Sequence, residues 1–155
     1  MPQMNKGGKF IFGKSLIRHD LTIHLPSQAL AEYNATSEGK VYLFTGSKVT
    51  GGFCVTRKGL LEPSKLGHIL TDNPALQNYR TAEGKFIKYK GRSYCWVNIS
   101  QNGVIQLNQQ ILDFLNLKIG MELLSIRSSD IAFTMGATGP LLERAYNYEG
   151  EIPLY

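Results

Sequence analysis

The chain has 155 residues, 43% hydrophobic and 19% charged, which is enough apolar side chain for a packed core and too much for general disorder. Its 17 Lys and Arg against 12 Asp and Glu give a formal charge of +5, which suits an anionic partner without specifying one. The opening decapeptide lacks the apolar stretch of a signal peptide, no apolar run reaches membrane-spanning length, and Cys54 and Cys95 form no CxxC pair; a cytoplasmic chain with reduced thiols, no membrane partner and no metal or other cofactor is expected.

Sixteen glycines among short runs of aromatic and β-branched residues favour many short strands joined by tight turns. Leu21, Ile23 and Leu25 alternate with Thr22 and His24, the pattern of a half-buried strand. Pro26 and Ser27 then open a short helix whose apolar residues Leu30 and Tyr33 lie three apart, ending at Asn34. Gly39 leads into a strand from Val41 to Thr45, a turn built on Gly46, Ser47, Gly51 and Gly52, and a returning strand from Phe53 to Thr56. Glu62 to Leu70 is predicted as a further helix, and Thr71-Asp72-Asn73-Pro74 as the start of a connection.

The second half runs through the same plan. Tyr94 to Ile99 is predicted as a strand, Ile105 and Leu107 alternate around Gln106, and Asn108 is a good N-cap for a helix carrying Ile111, Leu112 and Leu115 up to Asn116. Gly120 precedes a strand from Glu122 to Ile126, Ser128-Ser129-Asp130 makes a turn, and Ile131 to Met135 returns. Four blocks recur in order: Gly8-Lys9-Phe10-Ile11 with Gly84-Lys85-Phe86-Ile87; Leu21–Pro26 with Gly103–Asn108; Glu38–Tyr42 with Ile119–Leu123; and Gly59–Glu62 with Gly139–Glu143. The fold class expected is mainly β with short helices: internally duplicated β-α-β-β modules, residues 1–79 with a trailing helix and 80–155 with a C-terminal tail, packed as one pseudo-twofold unit. Charge divides unevenly, +4 before residue 80 and +1 from it onward.

A strand ending in Leu25-Pro26, a two-turn helix, a glycine loop and a hairpin resemble the AbrB/SpoVT swapped-hairpin family of bacterial and archaeal DNA-binding proteins. In that family the strand usually reads Gly-Arg-x-x-Ile/Leu-Pro. The resemblance covers Ile17–Thr56 and Trp96–Met135, and two copies in one chain are similar to the MraZ arrangement. It implies hairpins interleaved into one closed barrel, and a DNA-binding transcriptional regulator. Asp20-Leu21 and Gly103-Val104 stand where the family usually carries a basic residue. That departure keeps a second expectation open, a protein- or small-ligand-binding module on the same barrel.

Phosphate contacts are therefore expected from Lys6, Lys9, Lys14 and Arg18, and from Lys85, Lys88, Lys90 and Arg92, two basic groups at similar places in the two halves. Tyr89 and Tyr94 are candidates for stacking on bases. The loop Thr45–Gly52 could cradle an anion but lacks Walker spacing and is better explained as a hairpin turn. His19, His24 and His68 fall in no catalytic motif, so no enzyme is expected. The tail from Ala145 to Tyr155 is rich in large apolar groups and should dock on its own domain or support a homo-oligomer.

Overall fold

In the computed structural model, residues 10–45, 50–138 and 153–155 are described. The protein is mainly β with short helices, as expected. The first half contributes β1 (Ile11–Leu16), β2 (Thr22–His24), α1 (Ser27–Tyr33), β3 (Lys40–Thr45) and β4 (Phe53–Thr56). Three one-turn helices follow: α2 (Lys58–Leu61), α3 (His68–Asp72) and α4 (Pro74–Gln77). The second half supplies β5 (Ile87–Tyr89), β6 (Arg92–Asn98), β7 (Val104–Gln106), α5 (Gln109–Leu115), β8 (Glu122–Arg127) and β9 (Phe133–Gly136). Among the described residues, no helix is long and apolar enough to cross a membrane.

Seven strands pair in the order β1-β8-β9-β4-β3-β6-β5, every paired neighbour antiparallel, and β2 pairs with β7 in a separate ribbon. Among the described strands none joins β1 to β5, so the hydrogen-bonded order is open rather than a closed ring. The β2–β7 ribbon lies against β1 and β6, with Arg18 N–H bonded to Thr22 O and Ser100 N–H to Val104 O at the two corners.

The registers repeat with an offset of 82 residues. Lys14 pairs with Leu124 and Tyr42 with Trp96, and adding 82 to Lys14 and Tyr42 gives the other two. In the ribbon, Ile23 faces Ile105 and is flanked by Thr22–Gln106 and His24–Val104, so the pairing is unchanged when its strands are exchanged. Cys54 faces Thr134 between Phe53–Met135 and Val55–Phe133, at an offset of 80 residues rather than 82.

Two of the expected block matches fall off this offset. Gly8–Ile11 and Gly84–Ile87 lie 76 apart, whereas a shift of 82 carries Ile11–Leu16 onto Ser93–Asn98. The Glu38–Tyr42 block is likewise one residue out, since Lys40 and Glu122 occupy matching rungs. The Gly139–Glu143 block lies outside the described residues.

Alternation sends the side chains of the sheet to two faces. One face buries Phe12, Val41, Leu43, Val97, Leu123 and Phe133 against the ribbon and against Ala29, Tyr33, Ile111 and Leu112 of α1 and α5. The other buries Tyr42, Phe44, Tyr94 and Trp96 beneath Leu61, Ile69, Leu70 and Leu76 of α2–α4. Tyr42 donates to the carbonyls of Leu76 and Gln77 at 3.1 and 3.2 Å, tying the α4 end to the sheet, and Trp96 Nε1–H donates to Thr81 O. Trp96 therefore belongs to a satellite core under the connecting helices.

Of the helix expected over Glu62–Leu70, His68–Leu70 is helical, as the start of α3, and Glu62–Gly67 is not. Pro63 has no N–H to continue the ladder, so α2 stops at Glu62 and the chain turns until α3 begins at His68. The α1 and α5 boundaries agree with expectation, and both helices end on an asparagine in the left-handed region, Asn34 at φ 53° and Asn116 at φ 58°. Their N-termini differ. Asn108 Oδ1 accepts from Ile111 N–H at 2.8 Å, whereas Pro26 offers no side-chain cap. Asn108→Ala should lower stability by about 1 kcal/mol, and Asn108→Ser by much less. Urea denaturation of both variants checks this.

Candidate functional site

The β5–β6 hairpin and the turn before α3 enclose a groove on the face covered by the connecting helices. Its larger lobe, about 750 Å³, runs from Phe44 and Ser64 to the β8–β9 turn at Ser128–Ala132, with Cys54 and Thr134 among its lining residues. A smaller lobe of about 150 Å³ is lined by Lys65, His68, Tyr89, Lys90, Arg92 and Tyr94. Lys65, Leu66 and Arg92 line both lobes, which makes them parts of one groove.

Local folding explains which hairpin residues reach it. Tyr89 pairs with Arg92 and Ile87 with Tyr94, so these four share the groove face, while Lys90 stands at the turn. Lys88 pairs with Ser93 and projects from the opposite face. Lys85 is exposed ahead of β5. The second basic group is thus divided: Lys90 and Arg92 line the groove, and Lys85 and Lys88 do not.

Among the described residues, no carboxylate lies within ion-pair distance of Lys65, Lys90 or Arg92. The Arg92 guanidinium lies 5.6 Å from the Phe44 ring centroid, and Phe44 stacks on Tyr94 at 5.4 Å. Tyr89 donates its hydroxyl to Asp72, which ties that carboxylate outside the smaller lobe. One carboxylate, Asp130, lines the larger lobe beside Ser128 and Ser129. Cys54 Sγ lies 3.4 Å from Thr134 Oγ1; burial raises the thiol pKa, while the Thr134 hydroxyl and the Arg92 charge oppose the shift. Burial pushes the Cys95 thiol up to about 12. Neither cysteine has the exposed, electropositive setting of a reactive thiolate.

No protein-family model matches the chain, and no curated protein matches its sequence.

The first basic group is dispersed. Lys6 and Lys9 lie outside the described residues. Lys14 sits on β1, at the other end of the strand order from the β5–β6 hairpin, with its Nζ 3.5 Å from Glu122. Arg18 lines a separate cavity of about 550 Å³ with His19, Asp20 and Ile119. There, Thr22 donates its hydroxyl and N–H to Asp20 and holds its carboxyl below the usual range.

The two basic groups do not occupy equivalent rungs either, because the 82-residue offset takes Lys14 to Trp96 and Arg18 to Ser100. Tyr94 is 2% exposed, so its ring is a wall of the core and not a stacking platform. Gly46–Val49 of the glycine loop lie outside the described residues, while its ends form the β3–β4 hairpin as expected. His24 faces the Tyr155 ring edge-on at 5.9 Å. Of the tail, Pro153–Tyr155 dock on the protein's own β1, where Pro153 O accepts from Lys14 N–H and Tyr155 N–H donates to Lys14 O, both at 2.7 Å. The rest of the tail lies outside the described residues.

Lys65 is the groove cation that sequence reasoning missed. It sits between one-turn helices, in a stretch read as helical, with no local pattern linking it to Arg92.

Proposed function

We propose that residues 1–79 and 80–155 are two copies of one β-α-β-β unit, interleaved as a tandem swapped-hairpin barrel of the AbrB/SpoVT type. On this reading the chain is a cytoplasmic, non-enzymatic, DNA-binding transcriptional regulator. The observation that carries the reading is the shared 82-residue register of the β1–β8 and β3–β6 pairings, together with ribbon and hairpin pairings centred on Ile23–Ile105 and Cys54–Thr134. Such interleaving covers strand edges that a single copy would leave open.

The net charge of +5 supports an anionic target. The exposed β5–β6 hairpin, with Lys85, Lys88, Lys90 and Arg92, is the surface assigned to phosphate contact. Titration of a fluorescent random duplex at low salt should show binding that weakens steeply as salt rises. In Lys85→Ala/Lys88→Ala the slope of log affinity against log salt should fall by about two. Absence of binding at low salt would refute the regulator reading.

The groove favours a second reading, a small-ligand-binding module on the same frame. Three cations without ion-pair partners among the described residues border an indentation of the size ligand sites usually have, roughly 300–1,000 Å³. A flat duplex titration together with a filled groove would select it.

A further inference from the structure

We propose that the groove between the β5–β6 hairpin and the Ser64–His68 turn binds a small phosphate ester with a hydroxylated body, the chemistry shared by nucleoside monophosphates and sugar phosphates. Lys90 and Arg92 are shared with the surface assigned to DNA phosphates, whereas Lys85 and Lys88 lie outside the groove, so substitutions at the latter pair separate the two proposals.

The two lobes differ in their lining. The smaller lobe brings Lys65, Lys90 and Arg92 together with no carboxylate among the described residues that line it, since Asp72, the nearby acid, is held by Tyr89. Three cations around a compact space suit a dianionic phosphate, and a guanidinium without an ion-pair partner among the described residues provides directional donors for an oxyanion. Phe44 supports the Arg92 guanidinium from one side, which reduces the ordering needed when an anion arrives.

The larger lobe has a different chemistry. Ser128 and Ser64 direct their hydroxyl hydrogens to backbone carbonyls, Ala132 O at 2.9 Å and Leu61 O at 2.7 Å; Ser64 Oγ also accepts from Leu66 N–H at 3.1 Å, so the Ser128 oxygen is the more open acceptor. Asp130 adds an acceptor without an ion-pair partner among the described residues. Asp130 and the Ser128 hydroxyl place acceptors beside the shared Lys65 and Arg92, which favours a body that donates hydrogen bonds, such as a ribose or a hexose. Ile131 and Leu66 offer it apolar contact. The two lobes meet at Arg92 and Lys65, so a ligand with its anionic group at one end can span both.

The test is a titration of the isotope-labelled full chain by amide NMR with four probes: adenosine monophosphate, glucose 6-phosphate, adenosine and inorganic phosphate. At least one phosphate ester should shift the amides of Lys65, Leu66, Arg92 and Ser129–Ile131, and adenosine at the same concentration should not. Stronger binding of adenosine monophosphate would assign the site to nucleotides, and stronger binding of glucose 6-phosphate to sugar phosphates. Lys65→Met/Arg92→Met keeps the apolar stems in place and should weaken binding at least tenfold, with its own spectrum reporting that the fold is intact. Lys85→Ala/Lys88→Ala should bind the ester as the parent does. The proposal is overturned if neither ester shifts these amides, if adenosine or inorganic phosphate binds as tightly as the esters, or if the methionine variant retains full affinity. Failure here leaves the duplex titration untouched, and the converse holds.

Discussion

Gly52→Ala is expected to cost about 3–5 kcal/mol, enough to unfold the protein if its stability is at the low end of the usual ~5–15 kcal/mol range. Gly52 sits at φ +62°, immediately before β4, and a Cβ there would come within 1.9 Å of the Met135 carbonyl oxygen. That oxygen belongs to backbone on β9, and the neighbouring pair Phe53–Met135 is part of the β4–β9 seam between the halves. Relief would require the seam to open.

Gly39→Ala supplies the control. Gly39 has φ +71° with nothing within 4 Å of the added carbon, so its substitution carries only the left-handed backbone penalty of about 1–2 kcal/mol. Urea denaturation of the two variants separates steric from conformational cost. Equal losses in both would mean that the seam tolerates a methyl group and is looser than the pairing indicates.

The second large effect is expected at Phe133. Its side chain is fully buried, its ring centroid lying 5.1 Å from Tyr33 and 6.3 Å from Phe12. Phe133→Ala should lose about 3–5 kcal/mol, from lost transfer energy and the cavity left behind. Phe133→Leu retains most of the volume and should lose less than about 1.5 kcal/mol.

Phe12 and Tyr33 come from the first half and Phe133 from the second, so a double-mutant cycle between Phe12→Leu and Phe133→Leu reports on the shared core. A coupling of about 0.5–1.5 kcal/mol is expected for an edge-on aromatic pair. Additive effects would argue against a core common to both halves.

Some parts of this fold are visible in sequence for specific reasons. The ribbon strands alternate cleanly because each has one buried face, and the helix ends at Asn34 and Asn116 are marked by residues that tolerate left-handed backbone. β1 leaves no such signal. Ile11, Phe12, Gly13 and Ser15 are all buried, and a register shift between Ile11 and Gly13 breaks the period of two. β5 is only three residues long, too short for a pattern to stand out.

The site divides along the same line. Lys90 and Arg92 are legible as part of a basic run, but their faces depend on the Tyr89–Arg92 pairing, which composition does not reveal. Lys65 joins them only because Pro63 breaks the predicted helix and turns the chain toward the hairpin. Tyr94 is a stacking candidate in the sequence because it neighbours positive charge; pairing puts it on the face that the connecting helices cover.

The interleaved strand order also bears on how the protein is made. Ile11–Leu16 leaves the ribosome well before Glu122–Arg127, the one strand it pairs with among those described. Until that strand is made, its apolar residues and open backbone edge have no native strand to meet, and the same holds for the β4 edge that β9 later covers. Assembly must wait for β8 and β9, and the long-range pairings make folding intrinsically slow. Newly made chains should therefore rely on holdase protection more heavily than a protein of this size built from local hairpins.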